Sequence, residues 1–136
     1  MKYMMMAKAD ADYEAGNPPS PELMQEIGRL GEEAVKAGKL VFQAGLQPTR
    51  AGWRMGLTRG KSFTVDGPFA ETKEVIGGFA IFECDSREEA MKFAQQFVEA
   101  HARAGVRDMS MEVRPLFGPG DTGCPHTEDA KALMTA

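Results

Sequence analysis

A chain of 136 residues with 43% hydrophobic and 26% charged residues is long enough for one core and too apolar to be a disordered segment. Its formal net charge is −4, with acids and bases interspersed, so no basic block marks a nucleic-acid footprint. The longest N-terminal apolar run, Tyr3 to Ala7, is too short for a membrane span or a signal-peptide core, which makes cytoplasmic residence the expectation.

Lys2 to Lys8 (KYMMMAK) predicts a first strand, with Tyr3 and Met5 on one face and Met4 and Met6 on the other. A strand that is apolar on both faces belongs inside a sheet. Ala9 to Pro19, rich in Asp, Gly and Pro, predicts a long loop. Ser20 then caps a helix with Pro21 at its first position and Gly38 as its stop. Leu23, Met24, Ile27, Leu30, Ala34 and Val35 form its apolar face, and Gly28 and Gly31 permit close backbone approach at some loss of helix propensity.

Leu40 to Ala44 predicts a short second strand, and Gly45 to Gly52 a connection. Trp53, Met55 and Leu57 then alternate with Arg54, Gly56 and Thr58. After Arg59-Gly60, Phe63 and Val65 alternate with Ser62 and Thr64. This is the pattern of a hairpin with a tight turn. It leads into Asp66 to Glu74 (DGPFAETKE), which sets three carboxylates and a lysine around a Gly-Pro turn.

Gly77 to Cys84 is the strongest strand, apolar on both faces, and Cys84 reads as a small buried hydrophobe. Ser86, with Glu89 three residues on, opens the second helix as a capping box. Ala90, Met91, Ala94, Phe97, Val98 and His101 share its inner face, and Gly105 ends it. Met109 to Phe117 predicts the last strand. Residues 1–118 thus form one domain and 119–136 a tail, with a short helix predicted near Glu128 to Met134. The methionines read as core filling.

With the hairpin set aside, the order is βαββαβ: a ferredoxin-like α+β fold with an antiparallel sheet and two helices on one face. The central strands are apolar on both faces, so the second face also needs a cover. A second copy of the sheet is the economical one, which predicts a homodimer packed sheet against sheet.

Two roles are open for Asp66. It is either a general base or orienting acceptor for a substrate, or the residue that fixes its own turn by accepting backbone N–H groups. Lys73 is the candidate electrostatic stabiliser, and Glu71 and Glu74 are weak substrate contacts that read more readily as surface ion pairs. Trp53 reads as core or as a stacking wall for a planar ligand, and Arg54 as an exposed residue or a partner for an anion. His101 suits the negative end of its helix better than catalysis. Cys124, His126, Glu128 and Asp129 match no zinc spacing, and no phosphate-binding loop, dinucleotide fingerprint or nucleophile elbow is present, so no metal or cofactor is expected.

Asp66 to Glu74, followed by Gly77-Gly78-Phe79, resembles the DGPF motif of the YCII-related (YciI-like) proteins. The similarity extends to KYMMMAK, AGKLVFQAGLQPTRAG, SREEAMKFAQQF and MEVRPLF, over roughly residues 2 to 117. The resemblance implies a dimeric α/β barrel. It implies a small enzyme with a His–Asp pair in a cleft, one relative acting on a chlorinated hydroxyquinol with loss of chloride. Other DGPF proteins accompany sigma factors, which implies a regulatory module as the alternative. Asp66 matches the family's carboxylate, but the segment where its histidine would fall, Pro21 to Gly38, contains none. The expectation is therefore a cofactor-free protein that abstracts a proton or eliminates on a small, hydroxylated substrate near Asp66, or a non-catalytic ligand-binding module using the same cleft.

Overall fold

The computed structural model of the chain describes residues 1–69, 74–118 and 121. Strands β1 (Lys2–Lys8), β2 (Leu40–Gly45), β5 (Ile76–Glu83) and β6 (Met111–Pro115) form one antiparallel sheet in the order β2-β5-β1-β6. Strands β3 (Trp53–Thr58) and β4 (Lys61–Asp66) form a separate two-stranded ribbon. Helices α2 (Pro21–Lys36) and α3 (Arg87–Arg103) pack on the four-stranded sheet. With the ribbon removed, the sheet order and the βαββαβ connectivity are those of the ferredoxin-like α+β fold. The two strands with both faces apolar, β1 and β5, do lie at the centre.

The helix face of the sheet carries the core. Tyr3, Met5, Cys84 and Ala90 are buried together, with Phe82, Phe93, Ala94, Met111 and Val113 packed around them. Phe82 and Phe93 stack with ring centroids 4.9 Å apart, which ties α3 to β5. Burial raises the Cys84 thiol pKa, and the Glu89 carboxylate adds to the rise, so this sulfur stays protonated and behaves as packing. The opposite face carries Met4, Met6, Phe79 and Ile81 in register, with Phe42 54% exposed at its β2 edge and tilted against Phe79 at 5.8 Å.

Helix ends follow their predicted chemistry. Ser20 Oγ accepts from the Leu23 amide at 3.2 Å, and Ser86 Oγ accepts from the Glu89 amide at 3.1 Å. The Glu89 carboxylate accepts from the amide of Asp85 rather than that of Ser86. Gly38 and Gly105, at φ 71° and 86°, take the left-handed conformation that terminates α2 and α3. On α2 only Leu23, Gly31 and Ala34 are buried, while Met24 and Val35 are 55% and 60% exposed, so its apolar face is narrower than predicted. Of its two glycines, Gly31 makes a close approach: a Cβ there would lie 2.8 Å from Gln43 Nε2, whereas one at Gly28 would meet nothing within 4 Å.

Three predictions change. Within the predicted loop 9–19 lies a one-turn helix, α1 (Ala11–Glu14), because Asp10 caps it by accepting from the Tyr13 amide at 2.7 Å. The last strand is shorter, Met111–Pro115. Trp53, read as core or stacking wall, is 63% exposed and is no part of the core, because the ribbon that bears it does not pack on the helices. The helix predicted near Glu128 to Met134 lies outside the described residues, as do Cys124 and His126. Among the described residues no helix is long and apolar enough to cross a membrane, and no cluster of His, Cys, Asp and Glu could hold a metal ion.

Candidate functional site

The hairpin turn is Arg59-Gly60, at φ 52° and 77°, the pair of positive values that a tight type I′ connection needs. It sets the register Trp53↔Asp66, Arg54↔Val65, Met55↔Thr64, Gly56↔Phe63 and Leu57↔Ser62. Residues opposite one another in an antiparallel pair share a face. Asp66 therefore sits beside Trp53 on the face that also bears Met55, Thr64 and Leu57. Arg54 lies on the other face, with its guanidinium 3.9 Å from the centre of the Phe69 ring, a cation–π contact rather than an ion pair.

Downstream of Asp66 the chain is held tightly by the short connection after β2. A single 3-10 turn, Thr49–Ala51, forms the bed. Gly67 N donates to Gly52 O at 3.0 Å, and a Cβ on Gly67 would fall well inside contact distance of the Thr49 carbonyl oxygen and 2.6 Å from its carbonyl carbon. Gly67 is thus required by space and not by backbone angle. The following peptide, Gly67–Pro68, is cis. Phe69 N then donates to Thr49 Oγ1 at 3.0 Å.

Thr49 is held in turn by α1. The Glu14 carboxylate accepts from Thr49 N at 2.9 Å and from Thr49 Oγ1 at 2.6 Å. The hydroxyl thus donates to Glu14 and accepts from Phe69, which links residues far apart in sequence into one chain of hydrogen bonds. Tyr13 supports the same corner by donating its hydroxyl to Leu46 O. The Thr49 hydroxyl is the main cause of a lowered Glu14 pKa, followed by the Thr49 amide and the Arg50 charge, with partial desolvation opposing them. A carboxylate whose folded pKa is depressed stabilises the fold fully above its unfolded value, here 4.5, and loses that contribution as the pH falls through the folded value. Urea midpoints taken from pH 7 down to pH 3 are therefore expected to fall more steeply in the native protein than in Glu14→Gln. Parallel curves would show that the Glu14 charge is not what holds Thr49.

The remaining candidates are dispersed. Glu74 is exposed and lies 3.5 Å from Lys8 Nζ. Glu71 and Lys73 lie outside the described residues. His101 Nδ1 lies 2.8 Å from Phe97 O. A carbonyl only accepts, so that nitrogen carries the proton and the ring is tied to the last turns of α3. A groove of about 340 Å³ borders Glu26, Arg29 and Arg103, and another of about 330 Å³ borders Tyr13, Pro19 and Leu46; neither is lined by Asp66. In the first, Arg29 is already paired with Glu26 at 2.8 Å and Glu33 at 2.7 Å, a surface network worth little. The sequence reading missed Glu14 and Thr49. The only local hint was acid and Tyr inside a segment read as loop.

A ferredoxin-like domain with its 66–69 segment bedded on the turn after β2 is the class of protein that these features define. The YCII-related domain family matches residues 1–112, and the chain belongs to that family. It is 39% identical over 101 residues to the uncharacterized protein R00369 of Rhizobium meliloti (strain 1021), a match covering 73% of this chain and 78% of that relative.

Proposed function

We propose that this protein is a DGPF-type member of its family that binds a small, hydroxylated molecule at the exposed face of Asp66. There Asp66 acts as base or orienting carboxylate in a proton abstraction or elimination, and Lys73 as electrostatic stabiliser. One observation carries the reading. The N–H groups of the turn are committed elsewhere, Gly67 to Gly52 O and Phe69 to Thr49 Oγ1, and Pro68 has none. The turn is held by its neighbours, which leaves the exposed Asp66 carboxylate available to a ligand. Trp53, its cross-strand neighbour, gives a planar substrate a stacking surface. The same reading includes a homodimer joined through the sheet face opposite the helices, where Met4, Phe79 and Ile81 are half-buried, closing an α/β barrel.

A second reading, a non-catalytic ligand-binding module connected with sigma-factor regulation, is favoured by the absence of any histidine from α2. A thermal-shift screen of metabolites and hydroxylated aromatics on native protein and Asp66→Asn tests both. Asp66→Asn alone is expected to change stability by less than about 0.5 kcal/mol, as for an exposed residue. A true ligand at about a hundredfold its Kd stabilises the native protein by about 2.7 kcal/mol, and that gain disappears in the variant. Mass spectrometry of the incubated ligand separates turnover from binding. A ligand that stabilises both proteins equally removes Asp66 from the site.

A further inference from the structure

Among the described residues the β3–β4 ribbon makes extensive contact with no other element: its two strands pack chiefly on each other. Yet Trp53, Met55, Leu57, Phe63 and Val65 are 63%, 70%, 73%, 42% and 51% exposed, and they occupy both of its faces. Two-stranded hairpins alone are marginal in water, so an apolar ribbon of this kind needs a cover. Its exposed apolar surface is on the order of 500 Å², at the upper end for a monomer. With the exposed Phe42 at the edge of the sheet added, the total is on the order of 600 Å², about three quarters of the roughly 800 Å² per partner of a stable interface.

Charge identifies the occupant. The ribbon, residues 53–66, contains Arg54, Arg59 and Lys61 against the single acid Asp66, so it carries +2 and the rest of a chain of net charge −4 carries −6. A basic arm on an acidic body is complementary to another copy of the same molecule.

We infer that the β3–β4 hairpin is an arm that packs on a second copy of this chain, so that the wall facing Trp53 and Asp66 is supplied by the partner and the site is incomplete in one protomer. Asp66, beside Trp53 and Met55 on one ribbon face, lines neither of the two grooves described above. The inference rests on Asp66 being the site; the arm contact itself does not.

Trp53 is the chain's single tryptophan, so its emission reports on the arm alone. In native protein that sedimentation shows to be dimeric, its emission is expected to be blue-shifted and poorly quenched by acrylamide, moving red on dilution as the dimer dissociates. Met55→Glu/Leu57→Glu, with unchanged far-ultraviolet circular dichroism, is expected to lose the dimer and to emit as exposed indole at every concentration. Thr64→p-benzoylphenylalanine, on the Asp66 face, is expected to give a covalent dimer on irradiation. A Trp53 as quenchable in the dimer as in Met55→Glu/Leu57→Glu overturns the arm. So does loss of the dimer in Phe42→Glu while the arm variant keeps it. A dimer with a shielded Trp53 but no crosslink from position 64 overturns the shared site while leaving the arm. Asp66→Asn failing to alter ligand binding, with the crosslink present, overturns the functional reading instead.

Discussion

Gly67→Ala is expected to destabilise the protein by about 3 kcal/mol, a fall of roughly 10 °C in Tm for a domain of this size. The methyl group would be driven into the Thr49 peptide, against both its carbonyl oxygen and its carbonyl carbon. The obstacle is main chain, which cannot rotate out of the way as a side chain can. Relief requires the turn at Thr49–Ala51 to move, and that turn also carries the Gly52 carbonyl that accepts from Gly67. Gly28→Ala provides the opposite result in the same measurement. It lies on the exposed side of α2 with nothing within 4 Å of its added Cβ, so it is expected to gain about 0.5–1 kcal/mol from helix propensity. Equal midpoints for the two variants in urea would show that the approach of residues 67 and 49 is looser than described.

Thr49→Val is the second large loss, about 2–3 kcal/mol. Valine keeps the shape of threonine and removes only the hydroxyl. It thereby cancels a hydrogen bond to the Glu14 carboxylate and leaves the part-buried Phe69 N–H without an acceptor. Thr49→Ser keeps both contacts and is expected to cost well under half as much. Hydrogen exchange gives the more local reading: the Phe69 amide should be protected in the native protein and Thr49→Ser, and exchange faster in Thr49→Val. Glu14→Gln and Thr49→Val act on one relay, so their double variant is expected to cost less than the sum of the two. Strict additivity would mean that Glu14 and Thr49 are independent.

How these contacts arise explains what could be read in advance. The alternation of Trp53, Met55 and Leu57 and the Arg59-Gly60 pair announced a hairpin, and the structure has it in that register. The same alternation suggested that Trp53 was core or a stacking surface, and there periodicity was ambiguous: it reports a face, not what covers it. Met24 and Val35 show the same limit on α2, where helical spacing marks a stripe but the packing angle decides its width. Asp66 was open between ligand group and turn-fixer. The difference lay in where the amides of Gly67 and Phe69 donate, which is a matter of residues 52 and 49. Glu14 was passed over altogether, because an acid in a Gly- and Pro-bearing stretch looks solvated until its partner, 35 residues later, is placed beside it.

Taken alone, the sequence determined the order of the six strands and the two long helices, the caps at Ser20 and Ser86, the two central strands and hence the ferredoxin-like sheet. These depend on the spacing of apolar residues and on side chains bonding to amides a few positions away, both of which are local. Only the tertiary structure decided that Gly67 is forced by Thr49, that a hydroxyl relays Glu14 to Phe69, and that the apolar side chains of the hairpin are left exposed among the described residues. Those are contacts between segments distant along the chain, and no local periodicity encodes which distant segment will supply the missing donor, acceptor or wall.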